Sequence, residues 1–171
     1  MIRPSNRLFI AKLGALSIFF STIEYLFPRP VPFFRLGLAN AALLLSLEFL
    51  NPGEYLVLLI LKVLGQGLIN GTFASYVFLF SLAGTFSSGW LMFLLHRAGG
   101  RHISLMGVSI AGAMASSMTQ LVLSVYFVFG EKSWLMMPWF TLSSLGTGLL
   151  IGWFSNRFQR ESRWLEQQRV L

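Results

Sequence analysis

Residues 103–129 read ISLMGVSIAGAMASSMTQLVLSVYFVF, 27 residues without a charged side chain. A run of about 20 apolar residues is long enough to cross a bilayer as a helix, and soluble proteins seldom carry one. Working outward, five further runs appear, each bounded by breakers: about 8–27, ending at Pro28, Pro30 and Pro32, and 36–50, ending at Asn51-Pro52-Gly53. Then come 54–73, 76–95 before His96-Arg97-Ala98-Gly99-Gly100-Arg101, and 134–154 after Gly130-Glu131-Lys132. Proline and glycine stop helices, so they separate the runs, with Pro138 marking either the start of the last run or a kink. The run 36–50 is short for a span, which implies tilt or an earlier start.

Composition agrees. Of 171 residues, 55% are hydrophobic and 11% charged, against roughly 25% charged in a soluble domain. This excludes a soluble enzyme, a disordered chain and a nucleic-acid-binding domain, despite the net charge of +7. With no Cys in the chain, disulfides, thiol nucleophiles and thiolate metal sites are excluded. The expected fold is an all-α integral membrane domain over 1–155. It has six transmembrane helices and is followed by a basic tail over 156–171.

The basic residues set the orientation. With both termini in the cytoplasm, Arg3, Arg7, Lys12, Arg97, Arg101, Arg157, Arg160, Arg163 and Arg169 lie inside. Arg29, Arg35 and Lys132 lie outside, and Lys62 lies within a span. Nine against three follows the positive-inside rule and requires an even number of spans. The first run has no small-residue cleavage site ahead of a polar chain, so it reads as a retained helix. The tail alternates Trp164 and Leu165 with Arg160, Arg163 and Arg169. It is either an amphipathic helix on the anionic leaflet or a solvated extension of the last span.

Small residues recur at i, i+4: Ala11/Ala15, Gly67/Gly71, Gly107/Ala111/Ala115 and Gly148/Gly152. Each lets helix backbones approach, either inside the bundle or against another membrane protein. In-span polar residues point to a ligand site. Lys62, Gln66 and Asn70 stand at i, i+4 and i+8, one stripe on one helix face. Lys62 lies about 12 Å into its span, with no Glu expected at that depth. It either snorkels to the interface or faces a cavity that takes an anionic or polar ligand. On the cavity reading, Met at position 62 should leave the empty protein as stable as before or more so. Asn40, Ser81 and Gln120 complete the expected lining, with Trp139 as an apolar wall. Glu24 and Arg35 flank the proline loop; they are expected to pair, to hold that loop over the site and to belong to the ligand site. His96 and His102 read as loop residues rather than metal ligands. No Walker motif, carboxylate pair or nucleophile constellation is present, so neither catalysis nor a cofactor is expected.

Several stretches together resemble the Gx transporter family, long labelled heptaprenyl diphosphate synthase component I. They are Glu24 before the proline-rich loop, Arg35-Leu36-Gly37-Leu38-Ala39-Asn40, Gly71-Thr72-Phe73, Ser81-Leu82-Ala83-Gly84 with Ser88 and Met92, Gly107 to Ala113, and Gln120. The resemblance covers about residues 20–150. It departs from the family at Lys62, where Arg is frequent, and near Ser117, where Asn is frequent. It implies kinship with the substrate-binding S components of energy-coupling-factor transporters. These are six-helix proteins of the cytoplasmic membrane that bind a small nutrient and dock on a transmembrane coupling protein driven by two cytoplasmic ATPases. An Ala-xxx-Ala motif on their first helix makes that contact, and Ala11 and Ala15 match it in type and position. The competing expectation is a membrane subunit of a flavin- or quinone-linked redox or prenyl-metabolism system. The chain contains no Asp, so it has no aspartate-rich diphosphate motif.

Overall fold

The computed structural model describes residues 4–26, 37–73, 75–99 and 102–161. Arg35, the proline loop and the tail from residue 162 onward lie outside the described residues. The elements are α1 (Pro4–Leu26), α2 (Asn40–Ser46), α3 (Pro52–Ile69), α4 (Tyr76–Gly99), α5 (Leu105–Phe127), a 3-10 segment (Gly130–Met136) and α6 (Met137–Glu161). No strand occurs among the described residues. Helices α3, α4 and α5, and the continuous stretch Gly130–Glu161, are long and apolar enough to cross a membrane.

The surface shows which solvent the fold expects. Leu68, Leu94, Leu142, Leu150 and Trp153 are exposed, whereas Ser17, Ser46, Ser88, Ser124, Ser144 and Ser155 are buried. A water-soluble protein seldom exposes so much contiguous apolar surface. In hydrocarbon the same arrangement is favourable, because polar groups must find partners inside the bundle. Many do: Ser124 and Ser133 share a hydrogen bond at 3.0 Å, the Ser144 hydroxyl donates to Ser117 at 2.6 Å, and the Thr119 hydroxyl donates to Ser87 at 2.8 Å.

Contacts fix the helix directions. Gly14 faces Leu61 and Gly65 faces Ile18, while Asn70 bonds Ser21, so α1 and α3 run parallel. Leu59 lies against Gly89 and Gln66 against Ser81, so α4 returns antiparallel. Met92 on Gly112 reverses direction again into α5, and Gly148 and Gly152 of α6 face Ile110 and Met106 of α5. The basic residues Arg7, Arg97, Arg157 and Arg160 consequently gather at one end, where α1 begins and α4 and α6 finish.

The expected second span, 36–50, is different. Its helix covers only Asn40–Ser46, all seven residues buried, about 10 Å long. It cannot cross a membrane alone. The Leu43-Leu44-Leu45 run is apolar because it packs on all sides, with Phe9, Tyr55, Phe93 and Ile151 in the same core. Turns from Leu47 to Phe49 then lead to Asn51, where the Glu54 carboxylate accepts from the Asn51 N–H at 3.1 Å and starts α3. Non-helical backbone at membrane depth is tolerated where protein or a polar cavity surrounds it. The other helices overlap their expected runs, and α6 continues to Glu161, beyond the expected end at 154. Ser104 caps α5 by accepting from the Gly107 N–H at 3.1 Å, and Pro138 sits in the first turn of α6, where its missing N–H costs nothing.

The small-residue pairs divide. A Cβ on Gly148 would come within 2.7 Å of the Ile110 Cα, and one on Gly152 within 2.8 Å of the Met106 Cα. These are backbone approaches that no rotamer change relieves. Gly67/Gly71 is not a packing pair: Gly71 has φ +62° with open space around it and ends α3, where the Thr72 N–H donates to the Gly67 carbonyl at 3.0 Å. Gly148→Ala and Gly152→Ala should each lower stability by about 1–3 kcal/mol, read as a lower unfolding temperature in detergent. Gly146, with nothing within 4 Å, should accept Ala without loss. Equal effects at Gly146 and Gly148 would contradict this packing.

Candidate ligand cavity

Five of the helices contribute to one polar cavity. It is lined by Glu24, Gly37, Ala39, Asn40, Lys62, Gln66, Ser81, Thr85, Ser116 and Gln120, and holds about 20 Å³, room for one water. The lining has a simple sequence basis. Lys62/Gln66 on α3, Ser81/Thr85 on α4 and Ser116/Gln120 on α5 are i, i+4 pairs, each one turn of one helix face. Helix directions bring the later half of α3, the early half of α4 and the later half of α5 to the same level. Glu24, in the last turn of α1, and the start of α2 close the ring.

Glu24 is 3% exposed. One carboxylate oxygen accepts the Gly37 N–H at 2.9 Å and the other accepts the Leu38 N–H at 3.1 Å. Charge-assisted bonds of this kind are about twice as strong as neutral ones. They tie α1 to the backbone just ahead of α2. Gly37 has φ +82° there, and a Cβ would stand 3.0 Å from the Asn40 Nδ2, so this turn favours glycine on both counts. The expected pairing of Glu24 with Arg35 falls outside the described residues.

Lys62 is 3% exposed and donates from Nζ to the Asn40 Oδ1. It therefore does not snorkel. The expectation that no Glu shares its depth is corrected, because Glu24 lines the same cavity. The reason lies in the chain path: residues 37–40 return to the middle of the bundle and meet both the end of α1 and the middle of α3. The Ser81 hydroxyl donates to the Gln66 Oε1 at 3.3 Å. Gln120, 2% exposed, donates from Nε2 to the Ser116 Oγ at 3.2 Å, and its Oε1 has no hydrogen-bond partner among the described residues. Gly84 lets that pair approach: a Cβ there would lie 2.9 Å from the Ser116 Oγ.

Two expected residues fall elsewhere. Asn70 follows α3 and donates to the Ser21 Oγ at 3.3 Å, one turn beyond the lining, because α3 stops before its stripe is complete. Trp139 is 58% exposed on the outer surface, whereas its neighbour Phe140 is buried with Phe80 and Leu121. Thr85, Ser116, Gly37 and Ala39 were not expected. Completing the i, i+4 partners of Ser81 and Gln120 would have found the first two.

Ala11 and Ala15 lie on the exposed side of α1, in register with Leu8 and Phe19, exposed by 62% and 58%. They do not pack inside the bundle. Among the described residues no three His, Cys, Asp or Glu side chains cluster to hold a metal ion.

A helical bundle with an apolar exterior, several spanning helices and a buried polar cavity defines a multi-pass membrane protein. A family model described as heptaprenyl diphosphate synthase component I matches residues 13–158, and the chain belongs to this family, the Gx transporter family. No curated protein and no solved structure matches the chain.

Proposed function

We propose that the chain is the substrate-binding membrane subunit, S-component-like, of an energy-coupling-factor type uptake transporter for a small polar nutrient. It sits in the cytoplasmic membrane with the cavity end outward, and has no chemistry of its own. The observation that carries this reading is the cavity itself. Charged and amide side chains from four helices converge in a membrane bundle, where polar groups mark substrate paths. At about 20 Å³ the cavity has room for little more than a water. A nutrient enters when the Glu24 contacts to Gly37 and Leu38 part.

The exposed Ala11/Ala15 face is the docking surface for a transmembrane coupling protein that two cytoplasmic ATPases drive. Small residues there let the partner backbone approach closely. Ala15→Leu should abolish co-purification with the coupling protein and ATPases while leaving the unfolding temperature unchanged, because the side chain points away from the bundle. Undiminished co-purification would sink the docking assignment. The family's description supports a second reading, a membrane subunit in prenyl metabolism. On that reading the purified protein carries an isoprenoid rather than a polar molecule.

A further inference from the structure

On the reading of the cavity as a ligand site, we propose that its ligand carries no net charge and donates an N–H or O–H to the Gln120 Oε1. A hydroxyl- or carboxamide-bearing neutral molecule fits, and an organic anion does not. Two independent observations converge. The first is the unpartnered acceptor. Gln120 is 2% exposed and lines the cavity, its Nε2 is committed to Ser116, and its buried Oε1 has no partner among the described residues. Buried acceptors are rarely left unsatisfied, since each costs free energy. A ligand donor at this point removes the deficit.

The second is the charge balance. Among the described lining residues, one carboxylate (Glu24) faces one ammonium (Lys62). Each is already engaged: Glu24 by two backbone N–H groups and Lys62 by Asn40. A neutral ligand keeps the site balanced, whereas a phosphate or carboxylate would leave a net charge buried within the bundle, which is costly. The deep Lys62 alone suggests an anion, but Glu24 in the same cavity removes that demand.

The test uses the full-length protein in mild detergent and matched neutral and anionic probes: nicotinamide with nicotinate, pyridoxine with pyridoxal phosphate, and riboflavin with riboflavin phosphate. Thermal unfolding and equilibrium binding are read for wild type and Gln120→Leu. The expected result is that the neutral member of at least one pair raises the unfolding temperature and binds about tenfold or more tightly than its anionic partner. In Gln120→Leu that binding should fall by about tenfold to a hundredfold, the effect of losing one buried hydrogen bond. The empty variant should unfold no earlier than wild type, because an unsatisfied oxygen has gone. Equal or tighter binding of an anionic member overturns the inference and leaves the ligand-site reading standing. So does a Gln120→Leu variant that binds as wild type or unfolds earlier when empty. No response to any probe, neutral or anionic, counts against both.

Discussion

Lys62→Met is expected to destabilise the empty protein by about 2–4 kcal/mol. The sequence alone leads to the opposite expectation, that an unpartnered membrane lysine could be lost without harm. In the structure its Nζ donates to Asn40 and shares a buried cavity with Glu24. Losing a hydrogen bond to a charged group costs about 1.5–3 kcal/mol, and stranding the opposite charge in a buried site raises the total. Unfolding of the variant by titration with denaturing detergent measures the loss. The double variant Lys62→Met/Glu24→Gln should recover part of it, because the stranded charge has been removed. Unchanged stability in Lys62→Met would return Lys62 to the snorkelling reading.

Glu24→Gln is expected to speed release of a small molecule bound in the cavity by about tenfold to a hundredfold. The carboxylate accepts from two adjacent backbone N–H groups, one on each oxygen. A carboxamide offers only one acceptor oxygen, so one N–H loses its partner, at about 1–3 kcal/mol. That weakens the tie between α1 and the turn at Gly37 that lines the cavity. Retention during dialysis, followed by mass spectrometry, reports the rate. Glu24→Asp keeps the charge on a shorter arm and should fall between. Identical release from wild type and Glu24→Gln would show that this contact does not close the site.

The spans were legible because lipid-facing helices are apolar on most sides, and length then identifies them: the uncharged run 103–129 becomes α5 with few changes at its ends. The run 36–50 misleads for the same reason. Seven residues buried on every side are as apolar as a span, and only three-dimensional packing shows that α2 is too short to cross. In the site, the Lys62/Gln66 stripe follows from helix periodicity, and Asn40, Ser81 and Gln120 stand out as amides and hydroxyls in apolar runs. The pairing of Glu24 with the backbone of Gly37 and Leu38 does not follow. It depends on a chain reversal that brings backbone from 13 and 14 residues later against its carboxylate, and no periodicity encodes that path. Asn70 and Trp139 mislead because a stripe or an aromatic residue says nothing about where its helix ends or which side faces lipid.

Native mass spectrometry of the full-length protein released from the membrane in mild detergent tests most directly whether the cavity holds a nutrient. One small polar molecule is expected per chain, retained by wild type and by Ala15→Leu but lost from Gln120→Leu. A chain that carries nothing would contradict the assignment of this cavity as the site of nutrient capture. So would one that carries an isoprenoid, whereas a polar molecule held equally by Gln120→Leu would overturn only the contact to Gln120.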